Sequence, residues 1–284
     1  MGKMIIKGRA SGMFSETNCF LAGLAYADHH NLEPAISWAR CRYSDKGVNG
    51  WPEFFHHIDS SKEVVFRASN RHPLFFNKFS YAAPRGPDLP QAYRKKYKCK
   101  DFMRPPLDRH KANEIIAKYI RPLPFVFDEV NQHNDLLGGA RKVIGLHIRG
   151  PLRFHGGSIW LSDQLGKGHP PYEEYFRYVD EELGERDLIV LCTDAGCVVE
   201  KVIERYGDQV FVPSRFLPQT GEPHKTVKNA SRHELGMDIL SDAYILARSN
   251  VLIHGNSNVS NFVLCLSPDM RHHDIYAHLY PPVK

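Results

Sequence analysis

The chain has 284 residues, 42% hydrophobic and 24% charged, a balance that excludes disordered and fibrous classes and leaves room for two modest domains. A net charge of +5 favours anionic partners but is small for this length, so it does not mark a nucleic-acid-binding protein. Apolar runs such as Leu188-Ile-Val-Leu-Cys192 are strand-length, far below the roughly 18 residues of a membrane span.

The opening Met1-Gly-Lys-Met-Ile-Ile-Lys-Gly-Arg9 meets charge after two apolar residues and lacks the apolar core of a signal peptide, so a cytoplasmic protein with at most peripheral membrane contact is expected. Its Met4–Lys7 stretch predicts a first strand. A loop rich in Gly and small polar residues, Gly8 to Asn18, follows, and a sugar or phosphate can approach such a loop closely. From Cys19 to His30 the residues Phe20, Leu21, Leu24 and Ala25 form one helix face. Pro34-Ala-Ile-Ser-Trp38 reads as the next strand, giving a βαβ opening and a parallel sheet.

Between Cys41 and Pro105 the pattern is irregular and aromatic (Trp51, Phe54, Phe55, Phe75, Phe76, Phe79), which suits either a sugar-stacking platform or core packing. The basic run Tyr93-Arg-Lys-Lys-Tyr-Lys-Cys-Lys100 reads as a solvated segment or a contact for an anionic acceptor. Asp108 to Ile120 predicts a helix ended by Pro122 and Pro124. Asn131 to Ala140 reads as the interdomain crossing, so the expected domains are 1–138, on the acceptor side, and 139–284, on the donor side.

After the crossing a βα rhythm returns. Strands are expected at 143–148, 188–192, 210–212 and 251–254, and helices at 172–183, 198–206 and 235–247. Alternation of this kind predicts a doubly wound sheet, with ligands at the carboxyl ends of the strands.

Three strand ends carry polar groups. His147-Ile-Arg149 places two basic side chains on one side of a strand, where a guanidinium grips a diphosphate bidentately; a structural ion pair would look the same. Cys192-Thr-Asp-Ala195 offers Thr193 and Asp194 either to a ligand or as helix caps. His254-Gly-Asn-Ser-Asn-Val-Ser260 is a polar turn at a helix start, able to cradle phosphate or simply to cap the helix. Together the three ends suit a nucleotide diphosphate. No GxGxxG, Walker lysine or HExxH motif is present, which disfavours dinucleotide oxidoreductases, P-loop kinases and zinc peptidases. The six cysteines show no metal-ligand spacing and read as free thiols.

At these residues the chain resembles the inverting fucosyltransferases of the GT-B type, the group of core α-1,6-fucosyltransferases and bacterial nodulation fucosyltransferases. Gly8-Arg-Ala-Ser-Gly12, the following helix, Ile36-Ser-Trp-Ala39 and Asn49-Gly-Trp-Pro-Glu-Phe-Phe55 are similar to its N-terminal segments. Val143 to Arg149 resembles its His-x-Arg strand, and His169-Pro-Pro-Tyr-Glu-Glu-Tyr175 its His-Pro helix entry. The resemblance implies an α/β, GT-B-like fold with two Rossmann-like domains facing a cleft. It implies fucosyl transfer from GDP-fucose to an oligosaccharide or lipid-linked saccharide, without a metal or other cofactor.

By the same resemblance, Arg149 meets the β-phosphate. By the resemblance too, His147 stands with it in the His-x-Arg strand, Thr193 and Asp194 match the family's Thr-Asp turn, Asp242 is implied to touch guanine or ribose, and Ser257, Asn258, Val259 and Ser260 to hold the diphosphate; Arg153, in the loop that follows, is a further candidate to assist Arg149. The family's acidic residue close after His-x-Arg has no counterpart in Gly150-Pro-Leu-Arg-Phe-His-Gly-Gly157. The candidates for the acceptor-activating base are therefore the loop residues His155, Asp163 and Glu16. GDP-mannose as donor, or a GDP- or glycan-binding homologue without turnover, are the rival readings.

Overall fold

Lys3–Lys7 (β1) and Glu33–Ser37 (β2) lie side by side in parallel, Met4 opposite Pro34 and Ile6 opposite Ile36, with helix α1 (Met13–His29) between them in sequence. The computed structural model describes residues 3–29, 31–58, 109–150, 170–219, 226–255 and 257–275. Two compact units result, 1–127 and 128–284. The division falls within helix α3 (Pro124–Asn131), earlier than the 138/139 boundary read from the sequence, which coincides with the end of helix α4 (Asn134–Gly139). Residues 131–140 are thus largely helical, and Asn131 and Asn134 accept hydrogen bonds from Arg248.

Helix α1 begins six residues before the expected Cys19. Polar Ser15, Glu16, Thr17 and Asn18 read as a loop, yet Met13, Phe14, Phe20, Leu21 and Leu24 are all buried and extend the apolar face by more than a turn. The polar side chains on that face find partners: the Thr17 hydroxyl donates to the Met13 carbonyl (3.0 Å), and Glu16 pairs with Arg9. Tertiary packing overrides local preference here.

Trp51, Phe54 and Phe55 are core residues, not a sugar platform. Phe20 meets Trp38 and Trp51 edge-on at 5.4 and 5.7 Å, and Trp51 stacks on Phe55 at 4.4 Å. Phe75, Phe76, Phe79 and the Tyr93–Lys100 run lie outside the described residues. Helix α2 (Arg109–Tyr119) packs on α1, where Lys118 and Tyr119 both bond the Asp28 carboxylate.

The second unit is built on β3 (Val143–Ile148), β4 (Leu188–Thr193), β5 (Val210–Phe211), β6 (Val251–His254) and β7 (Arg271–Asp274). They form one parallel sheet in the order β5-β4-β3-β6-β7. Ile144, Leu146, Ile148, Ile189, Leu191, Val251 and Ile253 face helices α5 (Tyr172–Glu182) and α6 (Gly196–Tyr206) through Tyr175, Val179, Val198 and Val202. The alternate residues face helices α7 (Arg232–Leu246) and α8 (Asn258–Leu266): a Cβ on Gly145 would lie 2.7 Å from Ser249 Oγ, just past α7, and Cys192 Sγ reaches the Asp242 carbonyl on α7. His147 therefore belongs to the α7/α8 side of the sheet.

Candidate active site

The chain leaves β3 toward β4 on one side of the sheet, and reaches β6 on the other side only later. The strand order thus reverses between β3 and β6, and their carboxyl ends flank the crevice where ligands of open α/β sheets bind. His147, Arg149 and Gly150 come from the first end, and His254, Gly255 and Ser257 from the second.

His147 is buried, its carbonyl accepts from the Gly255 amide (3.4 Å), and its Nδ1 lies 3.4 Å from Ser257 Oγ. Burial foremost, with the neighbouring His254 and Arg149, lowers its pKa from 6.5 to about 4 against the opposing pull of Asp194. The imidazole is therefore neutral at neutral pH. The unfolded chain takes up this proton at higher pH than the folded one, so stability is full above pH 6.5 and falls as pH drops toward 4. The expected loss is about 3 kcal/mol below that window. Urea titrations across pH should show His147→Gln without this segment of the slope.

Helix α8 is fastened at its start by a capping box. Ser257 Oγ accepts from the Ser260 amide (3.0 Å), and Ser260 Oγ accepts from the Ser257 amide (3.2 Å). The Ser260 hydroxyl also donates toward the Gly255 and Ser257 carbonyls. Both hydroxyls are thus committed to the turn, and what this end offers a ligand is the amide-lined, positive helix terminus around Asn258 and Val259. His254 steadies the same turn. Its Nδ1 lies 3.0 Å from the Gly255 carbonyl and its Nε2 3.1 Å from Nδ1 of His272 on β7, a pattern satisfied when each Nδ1 carries the proton.

Arg149 is half-exposed. Asp194 directs it: one carboxylate oxygen accepts from the Gly150 amide (2.6 Å) and the other lies 3.9 Å from Arg149 Nε. Neither Asp194 nor Thr193 caps α6, whose N-cap is Ala195. The Pro218 and Gln219 carbonyls instead accept from the Gly196 and Cys197 amides, so the loop after β5 closes the start of α6. The Thr193 hydroxyl is buried at the carboxyl end of β4 without a hydrogen-bond partner among the described residues.

That same loop meets α7 through two buried carboxylates one helical turn apart. Asp242 accepts from the Ser214 hydroxyl (2.6 Å), and Asp238 accepts from the amides of Arg215 (3.0 and 3.1 Å) and Phe216 (3.3 Å) and from Arg215 Nε (3.3 Å). Burial, then the Asp238 charge, pushes the Asp242 carboxyl well above its usual range. Burial also raises Asp238, and its four N–H contacts pull it back toward the ionised form.

His147, Arg149, Thr193, Asp194, Ser257, Asn258, Val259 and Ser260 are thus gathered at adjoining strand ends, with Asp242 behind Cys192. Glu16 is not a solvated loop residue. It lies in α1, fully buried, its carboxylate accepting from the Arg9 amide (2.6 Å) and paired with the Arg9 guanidinium (2.9 Å). Arg153, His155 and Asp163 lie outside the described residues. The sequence reading missed Asp238, Ser214, Arg215 and His272; the i, i+4 carboxylates of Asp238-Ile-Leu-Ser-Asp242 in an apolar helix were the available signal.

No protein-family profile matches the chain. Nodulation protein Z of Bradyrhizobium diazoefficiens is 23% identical over 291 residues, spanning 88% of this chain and 75% of that protein. The crystal structure of fucosyltransferase NodZ from Bradyrhizobium matches with a TM-score of 0.56 at 16% identity, covering 94% of each chain. NodZ alpha-1,6-fucosyltransferase soaked with GDP-fucose matches at 0.55 and 18% identity, over 93% of this chain and 92% of that one. POFUT1 in complex with GDP matches at 0.53 and 10% identity, over 96% and 98%. The chain has the fold of the GT-B fucosyltransferases, as its motifs implied.

Proposed function

We propose that this chain is an inverting glycosyltransferase that moves fucose from GDP-fucose to a hydroxyl of an oligosaccharide or lipid-linked saccharide. The observation that carries the reading is the meeting of His147, Arg149 and the start of α8 at the switch point of a nucleotide-type sheet. The likeness to NodZ over nearly the whole of both chains supports the same donor.

In this reading Arg149, aimed by Asp194, neutralises the diphosphate as the glycosidic bond to fucose breaks, and the positive end of α8 shares the charge. His147, neutral at working pH, serves as a hydrogen-bonding group and not as a second cation. With Glu16 tied to Arg9, deprotonation of the acceptor falls to His155 or Asp163. Arg153 is a further candidate for the phosphates, Thr193 offers its hydroxyl to the nucleotide, and Asp242 faces the base.

Charge neutralisation by protein groups makes the reaction independent of a divalent metal. Calorimetric titration of GDP, GDP-fucose and GDP-mannose in chelator tests this directly. GDP binding in the micromolar range and fucose release or transfer in chelator are expected; absence of guanine-nucleotide binding sinks the assignment. Preferential turnover of GDP-mannose would move it to another donor.

A further inference from the structure

Among the described residues, the Asp238 carboxylate spends its polar contacts on one short stretch of chain. Its two oxygens collect the amides of Arg215 and Phe216 and the Arg215 Nε, while Glu129 holds the far end of the same guanidinium at 3.5 Å. One helical turn on, Asp242 takes the Ser214 hydroxyl. Three consecutive residues of the loop after β5 are therefore pinned to α7 by two buried carboxylates. The same loop presents the carbonyls of Pro218 and Gln219 to the start of α6.

A diphosphate at the β3/β6 switch point leaves the rest of a nucleotide to extend along the carboxyl ends of the sheet. The Thr193 hydroxyl, at the end of β4 and without a hydrogen-bond partner among the described residues, and the 214–216 loop, which follows β5, lie on that side of β3. Recognition of a base edge by Asp242 needs its carboxylate and the loop opposite to be held in register, since polar specificity depends on unmet hydrogen bonds when the wrong edge is presented.

We propose that Asp238 is a positioning residue for nucleobase recognition: by clamping Arg215 and Phe216 it holds the 214–216 loop and Asp242 in the geometry that selects the base, without itself touching the ligand. This rests on the nucleotide-diphosphate reading above. Asp238 leaves the phosphate end untouched, because among the described residues none of its hydrogen bonds or ion pairs reaches β3 or α8.

The test is calorimetric titration of wild type and Asp238→Asn with GDP, ADP and inorganic pyrophosphate. The variant is expected to bind GDP about tenfold more weakly and to lose most of its preference for GDP over ADP, with pyrophosphate affinity within about twofold of wild type. A general loss of structure would weaken pyrophosphate as well, and unchanged GDP affinity or parallel loss of both ligands overturns the proposal. Wild type that binds neither GDP nor pyrophosphate overturns the nucleotide reading itself. Should Asp238→Asn fail to fold, Arg215→Met removes the guanidinium half of the clamp and leaves both amide bonds in place. It is expected to weaken GDP about threefold with pyrophosphate unchanged, and no change in GDP overturns the proposal equally.

Discussion

Arg149→Ala is expected to weaken GDP binding about 30-fold or more, equivalent to about 2 kcal/mol, as measured by titration calorimetry in chelator. The reason is positional. Arg149 follows the last residue of β3, and the carboxylate that approaches it, Asp194, is at 3.9 Å, beyond good hydrogen-bonding distance. Asp194 makes its short bond to the Gly150 amide instead (2.6 Å), so it fixes the backbone that carries Arg149. Arg149→Lys should recover only part of the loss, because a point charge cannot reproduce the bidentate fork. GDP affinity within twofold of wild type in Arg149→Ala would place the phosphates elsewhere.

Gly8→Ala is expected to destabilise the first unit by about 3 kcal/mol. A Cβ at Gly8 would stand 2.3 Å from Trp38 Cδ1, 2.8 Å from Trp38 Cγ and 2.9 Å from Phe20 Cζ. The indole cannot yield, since it is fully buried and its Nε1 donates to the Arg9 carbonyl (3.0 Å), while the Trp38 amide donates to Asn49 Oδ1 (2.8 Å). Urea unfolding followed by tryptophan fluorescence reads the effect, because Trp38 and Trp51 both sit in this core. An unchanged midpoint would mean that the β1–α1 turn can shift away from the indole.

The sheet of the second unit was legible because its central strands are continuous apolar runs buried on both faces, as parallel strands must be. Strand β7 was not, since Arg271-His-His-Asp274 carries no apolar residue and is held in the sheet by pairing with β6. Its His272 nevertheless contacts His254, a partnership no local pattern announces.

The strand ends of the site were readable for the same reason that the strands were, but the assignments of individual groups required packing. Glu16 and Thr17 read as loop residues because their partners, Arg9 and the Met13 carbonyl, become visible only once the helix is formed. Ser257 and Ser260 read equally as ligand hydroxyls or as a cap, and only the folded turn shows the reciprocal cap that their spacing of three allows. Asp238 was invisible as a clamp because the loop it holds lies more than 20 residues upstream.

The closure of α6 by the Pro218 and Gln219 carbonyls gives the sheet a direction. Two helices, α6 and α8, begin at the ends of β4 and β6, the strands on either side of β3, and a sheet with both starts open would offer an anionic ligand two positive helix termini. Carbonyl dipoles at one start repel an anion there, and the other start stays electropositive. In the proposed nucleotide-diphosphate reading, an elongated ligand with a single charged end is thereby seated with that end toward α8.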